Sequence, residues 1–122
     1  MTTLDKFCLA IKEFEGWKPG SKSFRNKNPG NIKFIGQRLA IAKDAGGFCI
    51  FVKYEDGYKT LYTMVYNACA GKSVVYKPTM TILAYFKKYA PSSDKNDPDA
   101  YAKFVAKKVG LPVDTQIKKL IS

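Results

Sequence analysis

One carboxylic acid in this 122-residue chain stands where it could donate a proton to a substrate. Leu4, Phe7, Cys8, Ile11 and Phe14 recur at the spacing of a single helix face when each residue turns the chain by about 100°. Glu15 falls near the middle of that face, and Glu13 falls on roughly the opposite side. Gly16 and Trp17 follow directly. A carboxylate is seldom buried without a reason. Apolar surroundings disfavour its charged form, so the group keeps its proton near neutral pH and can act as a general acid. A plainer role fits the same position: a glutamate fraying at a helix end, or one paired with a lysine. Other chemistry is narrowed by what the chain lacks. It has no histidine, which excludes His-dependent triads and His-containing zinc sites. Cys8, Cys49 and Cys69 are far apart and odd in number, with no CxxC pair, and are expected to be buried free thiols. No metal and no cofactor is expected.

The elements that must position Glu15 come from local signals. Thr2 and Asp5 form a capping-box start for a helix from about Thr3 to Glu15, with Gly16 as its stop. Trp17 to Lys27 reads as a polar connection turning at Pro19-Gly20-Ser21, and Asn28-Pro29-Gly30-Asn31 reads as a second turn. Three short strands are expected next: Asn31 to Phe34, Arg38 to Ala42 and Phe48 to Val52. A sheet that small must pack on helices. Tyr58, Leu61, Tyr62, Val65 and Cys69 mark a long helix from Tyr54 that ends near Gly71. Thr79 or Thr81 opens another, with Ile82, Leu83, Phe86 and Tyr89 as its apolar face and Pro91 as its end. Asp97-Pro98 starts a further helix carrying Tyr101, Phe104, Val105 and Val109, closed by Gly110. Pro112 to Ile121 is expected as a last short helix. The expected architecture is a single α+β domain over residues 1–122: one helix, a small three-stranded antiparallel sheet, then a lobe of three to four helices.

Composition bounds the partners. Apolar residues make up 46% of the chain, enough for a folded core. Twenty-one Lys and Arg against ten Asp and Glu give a net charge of +11, which favours polyanionic surfaces. Only Arg25 and Arg38 are arginines, and base-reading proteins lean on arginine, so sequence-specific nucleic-acid recognition is disfavoured. Asp5, Lys6, Lys12 and Glu13 interrupt any apolar leader, so no signal peptide is expected, and no run is long enough to span a membrane.

Several local motifs then agree in order. Ile11-Lys12-Glu13-Phe14-Glu15-Gly16-Trp17, Pro19-Gly20-Ser21, Arg25-Asn26-Lys27-Asn28-Pro29-Gly30-Asn31-Ile32, Gly47-Phe48-Cys49-Ile50-Phe51, Tyr54-Glu55-Asp56-Gly57, Tyr89-Ala90-Pro91-Ser92 and Asn96-Asp97-Pro98-Asp99-Ala100-Tyr101 together resemble a small family of phage and prophage lytic transglycosylase-like proteins. That family lies within the lysozyme-like superfamily, and the resemblance covers about residues 8–117. It implies a lysozyme-like fold, with Glu15 as the acid that cleaves the β-1,4 bond between N-acetylmuramic acid and N-acetylglucosamine in peptidoglycan. Beside that acid, Trp17, Asn28, Asn31, Tyr89 and Tyr101 are candidate substrate contacts by their chemistry, and Arg25 is a candidate anchor for a carboxylate. Each has a plainer role: turn chemistry for the asparagines, core packing for the tyrosines, a surface ion pair for Arg25. Asp44 is the nearest acid after Glu15, but no second carboxylate is evident, which favours a transglycosylase over a muramidase. The implied setting is a phage virion, or a host cytoplasm from which the protein is released to the wall, as a monomer or within a larger virion assembly. Two rivals stay open: a non-catalytic virion or wall-binding module of the same fold, and a basic nucleic-acid-binding protein.

Overall fold

A computed structural model describes residues 1–122. It contains helices α1 (Thr3–Phe14), α2 (Lys22–Arg25), α3 (Tyr54–Cys69), α4 (Ile82–Tyr89) and α5 (Pro98–Val109), with strands β1 (Ala40–Lys43) and β2 (Cys49–Phe51) between α2 and α3. The α+β class stands. α1 begins as its sequence dictates: the Thr2 hydroxyl accepts from the Asp5 N–H, and the Asp5 carboxylate accepts back from the Thr2 N–H. A side-chain cap of this kind stabilises a helix by about 1 kcal/mol. α5 starts on the Asp97 cap with Pro98 in its first turn and stops at Gly110, whose φ is +75°. That left-handed backbone suits glycine.

α1 packs on α5 and α3, and α4 packs on α5. Leu4, Phe7, Cys8 and Ile11 of α1 enter one cluster of 22 buried residues, joined by Leu61 and Val65 of α3, Phe86 of α4 and Val105 of α5. The sheet region adds Ile32, Cys49 and Phe51 to the same cluster. The three cysteines are free and buried. Burial raises the Cys49 and Cys69 thiols to about 11 and about 12.

The sheet has two strands rather than three. Residues 32–34 run beside β2, with Cys49 N–H donating to the Ile32 carbonyl and Phe34 N–H to the Gly47 carbonyl, but only Lys33 and Phe48 pair as a bridge. A side chain ends the pairing. Gln37 accepts from the Ile35 N–H at 2.8 Å and donates to the Lys33 carbonyl at 2.9 Å, so backbone groups that would extend a strand are already bonded. Two other expectations change. The connection after Trp17 contains α2, capped by the Ser21 hydroxyl. The C-terminal segment is helical only as a 3₁₀ turn, Ile117–Ile121, because Gln116 first makes a bridge to Thr81 and Ile117 N–H donates to the Met80 carbonyl. No helix is long and apolar enough to cross a membrane.

Candidate active site

Glu15 is held by the way α1 ends. Gly16 N–H donates to the Glu13 carbonyl and Trp17 N–H to the Lys12 carbonyl, while Gly16 takes φ +76°. This is a Schellman ending, with glycine at its left-handed position. It places Glu15 as the capping residue, on the inner side of the helix, where its backbone N–H still donates to the Ile11 carbonyl.

The second wall of the site is the turn over residues 28–31. Asn31 N–H donates to the Asn28 carbonyl, with Pro29 and Gly30 at the turn's centre. Other elements clamp this turn. Tyr89 of α4 donates its hydroxyl to the Gly30 carbonyl at 2.6 Å. A Cβ on Gly30 would lie 2.7 Å from that hydroxyl and 2.9 Å from Leu61 Cδ1. On α3, Gly57 lies so close to the Lys27 carbonyl and to Pro29 that no side chain fits there. Held in this way, Asn31 adopts φ +46°, a conformation uncommon outside glycine but tolerated by asparagine.

These elements converge on one carboxyl group. Asn31 Nδ2 donates to Glu15 Oε1 at 2.8 Å, and the Tyr101 hydroxyl, from the first turn of α5, donates to Oε2 at 2.6 Å. Burial pushes the Glu15 carboxyl above its ordinary value; the Tyr101 and Asn31 bonds, and the nearby Lys22 ammonium, pull it back without cancelling the rise. Asn31 Oδ1 is buried and has no partner. Tyr101 is itself 1% exposed, with its ring 4.1 Å from that of Phe14 and 4.4 Å from that of Phe86. Burial raises its phenol well above the usual range, so it acts as a donor and not as a base.

The expected site residues separate into groups. Asn31 and Tyr101 meet at Glu15, but Tyr101 is sealed from solvent and positions the acid instead of contacting a ligand. Tyr89 is half-buried and holds the turn through Gly30. Asn28 requires correction as a substrate contact. It is fully buried, and its amide donates to the Ile32 and Cys49 carbonyls while accepting from the Ile32 N–H. All its side-chain polar atoms serve the fold. Trp17 stays half-buried, packed on Phe24 and Tyr54 at 5.1 Å each. Arg25 is exposed, outside both ion pairs of the molecule.

Asp44 is bound into its own hairpin. It accepts from the Phe48 and Gly46 N–H groups and from the Asn26 amide, each at 2.9 Å, and these bonds hold its carboxyl below the ordinary value. The Lys22 ammonium is near enough to lower both Asp44 and Glu15. Nothing local in the sequence signals that placement of Lys22; only the Ser21 cap could have put it on a helix. No three His, Cys, Asp or Glu side chains come together as a metal cluster. The chain matches no protein-family model, no curated protein and no solved structure.

Proposed function

We propose that this chain is a lysozyme-like, peptidoglycan-cleaving enzyme that breaks the bond between N-acetylmuramic acid and N-acetylglucosamine with Glu15 as its general acid. The observation that carries the reading is Glu15 itself: a carboxyl raised by burial and oriented by two side chains from different elements. An acid that must hold and then release a proton needs that combination of burial and fixed orientation. The order of sequence motifs around Glu15 supports the same substrate.

In the proposed reaction Glu15 gives its proton to the glycosidic oxygen as the bond to the muramic C1 breaks through an oxocarbenium-like state. An apolar pocket that raises a glutamate is also how lysozyme holds its acid, and the role of Glu15 is drawn on that pattern. The charge left on Glu15 is stabilised by Asn31 and Tyr101. Asp44 is occupied by hydrogen bonds within its own turn, and its carboxyl is held low, so it is not free to act as a nucleophile. The muramic 6-hydroxyl then attacks C1, and its proton returns to Glu15, leaving a 1,6-anhydro end and the free 4-hydroxyl of the departing sugar.

Digestion of purified peptidoglycan by wild type and Glu15→Gln tests this, with muropeptides resolved by mass. Products from wild type alone, lacking one water, are expected. Equal products from both proteins would remove Glu15 from the mechanism. Water-containing products would make the enzyme a hydrolase, and no products from either, on several wall types, would leave a non-catalytic wall-binding module.

A further inference from the structure

α3 carries tyrosines at every fourth position: Tyr54, Tyr58, Tyr62 and Tyr66. On a helix, such residues share one face. Tyr54, Tyr58 and Tyr62 are each half-buried, and Tyr66 is 38% exposed. Their rings continue a line that begins at Phe24 and Trp17, just past the end of α1. Phe24 and Trp17 lie 5.1 Å apart, Trp17 and Tyr54 5.1 Å, Tyr54 and Tyr58 6.0 Å, and Tyr58 and Tyr62 6.2 Å. Trp17 is two residues from Glu15. Hydroxyl bonds to α1 fix two of the rings: Lys12 Nζ donates to the Tyr54 oxygen at 3.3 Å, and Tyr58 donates to Asp5 at 2.8 Å.

Cations follow the same line. Lys27 lies 4.9 Å over Phe24, Lys12 5.2 Å over Trp17 and 4.5 Å over Tyr54, and Lys72 5.6 Å over Tyr66. None of these three lysines belongs to an ion pair. Tyr58 and Tyr62 pack one side against the core, and the strip keeps an outer side. The core tyrosines Tyr85 and Tyr101 are at most 1% exposed, whereas every ring here keeps part of its surface in solvent.

We propose that this strip is an extended binding track for a β-1,4-linked amino-sugar chain bearing carboxylates, leading away from Glu15 along α3. The proposal rests on the reading of Glu15 as a peptidoglycan-cleaving acid. The flat face of a pyranose presents polarised C–H groups, which complement the negative face of an aromatic ring. Steps of 5–6 Å between rings match the scale of one sugar unit, so successive sugars meet successive rings. The unpaired lysines complement carboxylates carried by muramic acid and its peptide.

Trp17 is the only tryptophan, so its fluorescence reports on the track directly. The Glu15→Gln protein, in which the proposed cleavage is blocked, is titrated with N-acetylglucosamine oligomers of two to six units, with muramyl glycans, and with single-stranded DNA. Affinity is expected to rise with length by about threefold to tenfold for each ring covered. Tyr62→Ala is expected to lose about fivefold on the hexamer and nothing on the dimer. Tyr62→Phe keeps the ring and should bind as the parent does. Should Tyr62→Ala not fold, Tyr62→Leu keeps the packing volume, drops the aromatic face, and should show the same loss. Added salt should weaken muramyl-glycan binding more than neutral-oligomer binding. Affinity independent of length, an equal loss at every length, or tighter binding of DNA with the same Trp17 response overturns the track. Wall cleavage by wild type without length-dependent binding refutes the track alone. Length-dependent binding without cleavage refutes the catalytic reading alone.

Discussion

Replacing Asn28 by alanine should cost the fold far more than replacing Asn31, although the two stand three residues apart in the same turn. Asn28 makes three buried hydrogen bonds: two from its amide to the Ile32 and Cys49 carbonyls, and one from the Ile32 N–H. Alanine orphans the Ile32 N–H and removes a partner from the Cys49 carbonyl; the Ile32 carbonyl keeps its bond from the Cys49 N–H. A buried group left unsatisfied costs about 1–3 kcal/mol, so two such groups together with the vacated side-chain space give about 3–5 kcal/mol. That is a large share of the roughly 5–15 kcal/mol that holds a domain folded. Asn31 makes one side-chain bond and is half-buried, so glycine there, which accepts φ +46° without strain, should cost about 0.5–1.5 kcal/mol. Urea unfolding separates the two. With a slope of about 1.5 kcal/mol/M, the midpoint of Asn28→Ala falls by roughly 2–3 M and that of Asn31→Gly by less than about 1 M. A fall under about 0.5 M for Asn28→Ala, accompanied by lost glycan binding, would refute the scaffold role and return Asn28 to the substrate.

Glu15→Gln should be more stable than wild type at neutral pH. Burial raises the Glu15 carboxyl in the folded state, so its stabilising protonation is fully present below the unfolded value and is lost as pH rises through the folded one. Thermal unfolding should favour the glutamine variant by about 1 kcal/mol at pH 7, with the gap closing under acid; a gap that widens under acid contradicts the sign. Tyr101→Phe removes a donor to the carboxylate, so the pH at which Glu15 loses its proton should rise. Both the alkaline limb of muropeptide release and the carboxyl ¹³C titration should move upward, and a shift of either downward counts against the contact. Gly57→Ala should destabilise by roughly 1–3 kcal/mol, although alanine in a helix ordinarily gains about 1 kcal/mol over glycine, because its Cβ would press on the Lys27 carbonyl and lie 2.9 Å from Pro29 Cδ. A higher melting temperature for this variant would refute the close approach.

Features that depend on near neighbours in the chain are legible without the fold. Thr2 and Asp5 cap α1, Gly16 ends it, and the repeat through Leu4, Phe7, Ile11 and Phe14 sets Glu15 inward, because each depends on residues within a turn or two. Asp97-Pro98 and Gly110 bound α5 for the same reason. The first expected strand fails because its competitor is a side chain: Gln37 bonds the backbone that a strand would have used, and β-propensity carries no trace of that. The roles of the polar residues are decided only in three dimensions. An asparagine before proline looks the same whether it bonds a sugar or, as Asn28 does, a carbonyl 21 residues away. A tyrosine on an apolar stripe reads as packing until the fold brings it, across 86 residues, onto a carboxyl oxygen. Burial and long-range hydrogen bonding set the proton affinity of Glu15, and both exist only once α1, the turn at residues 28–31 and α5 have met.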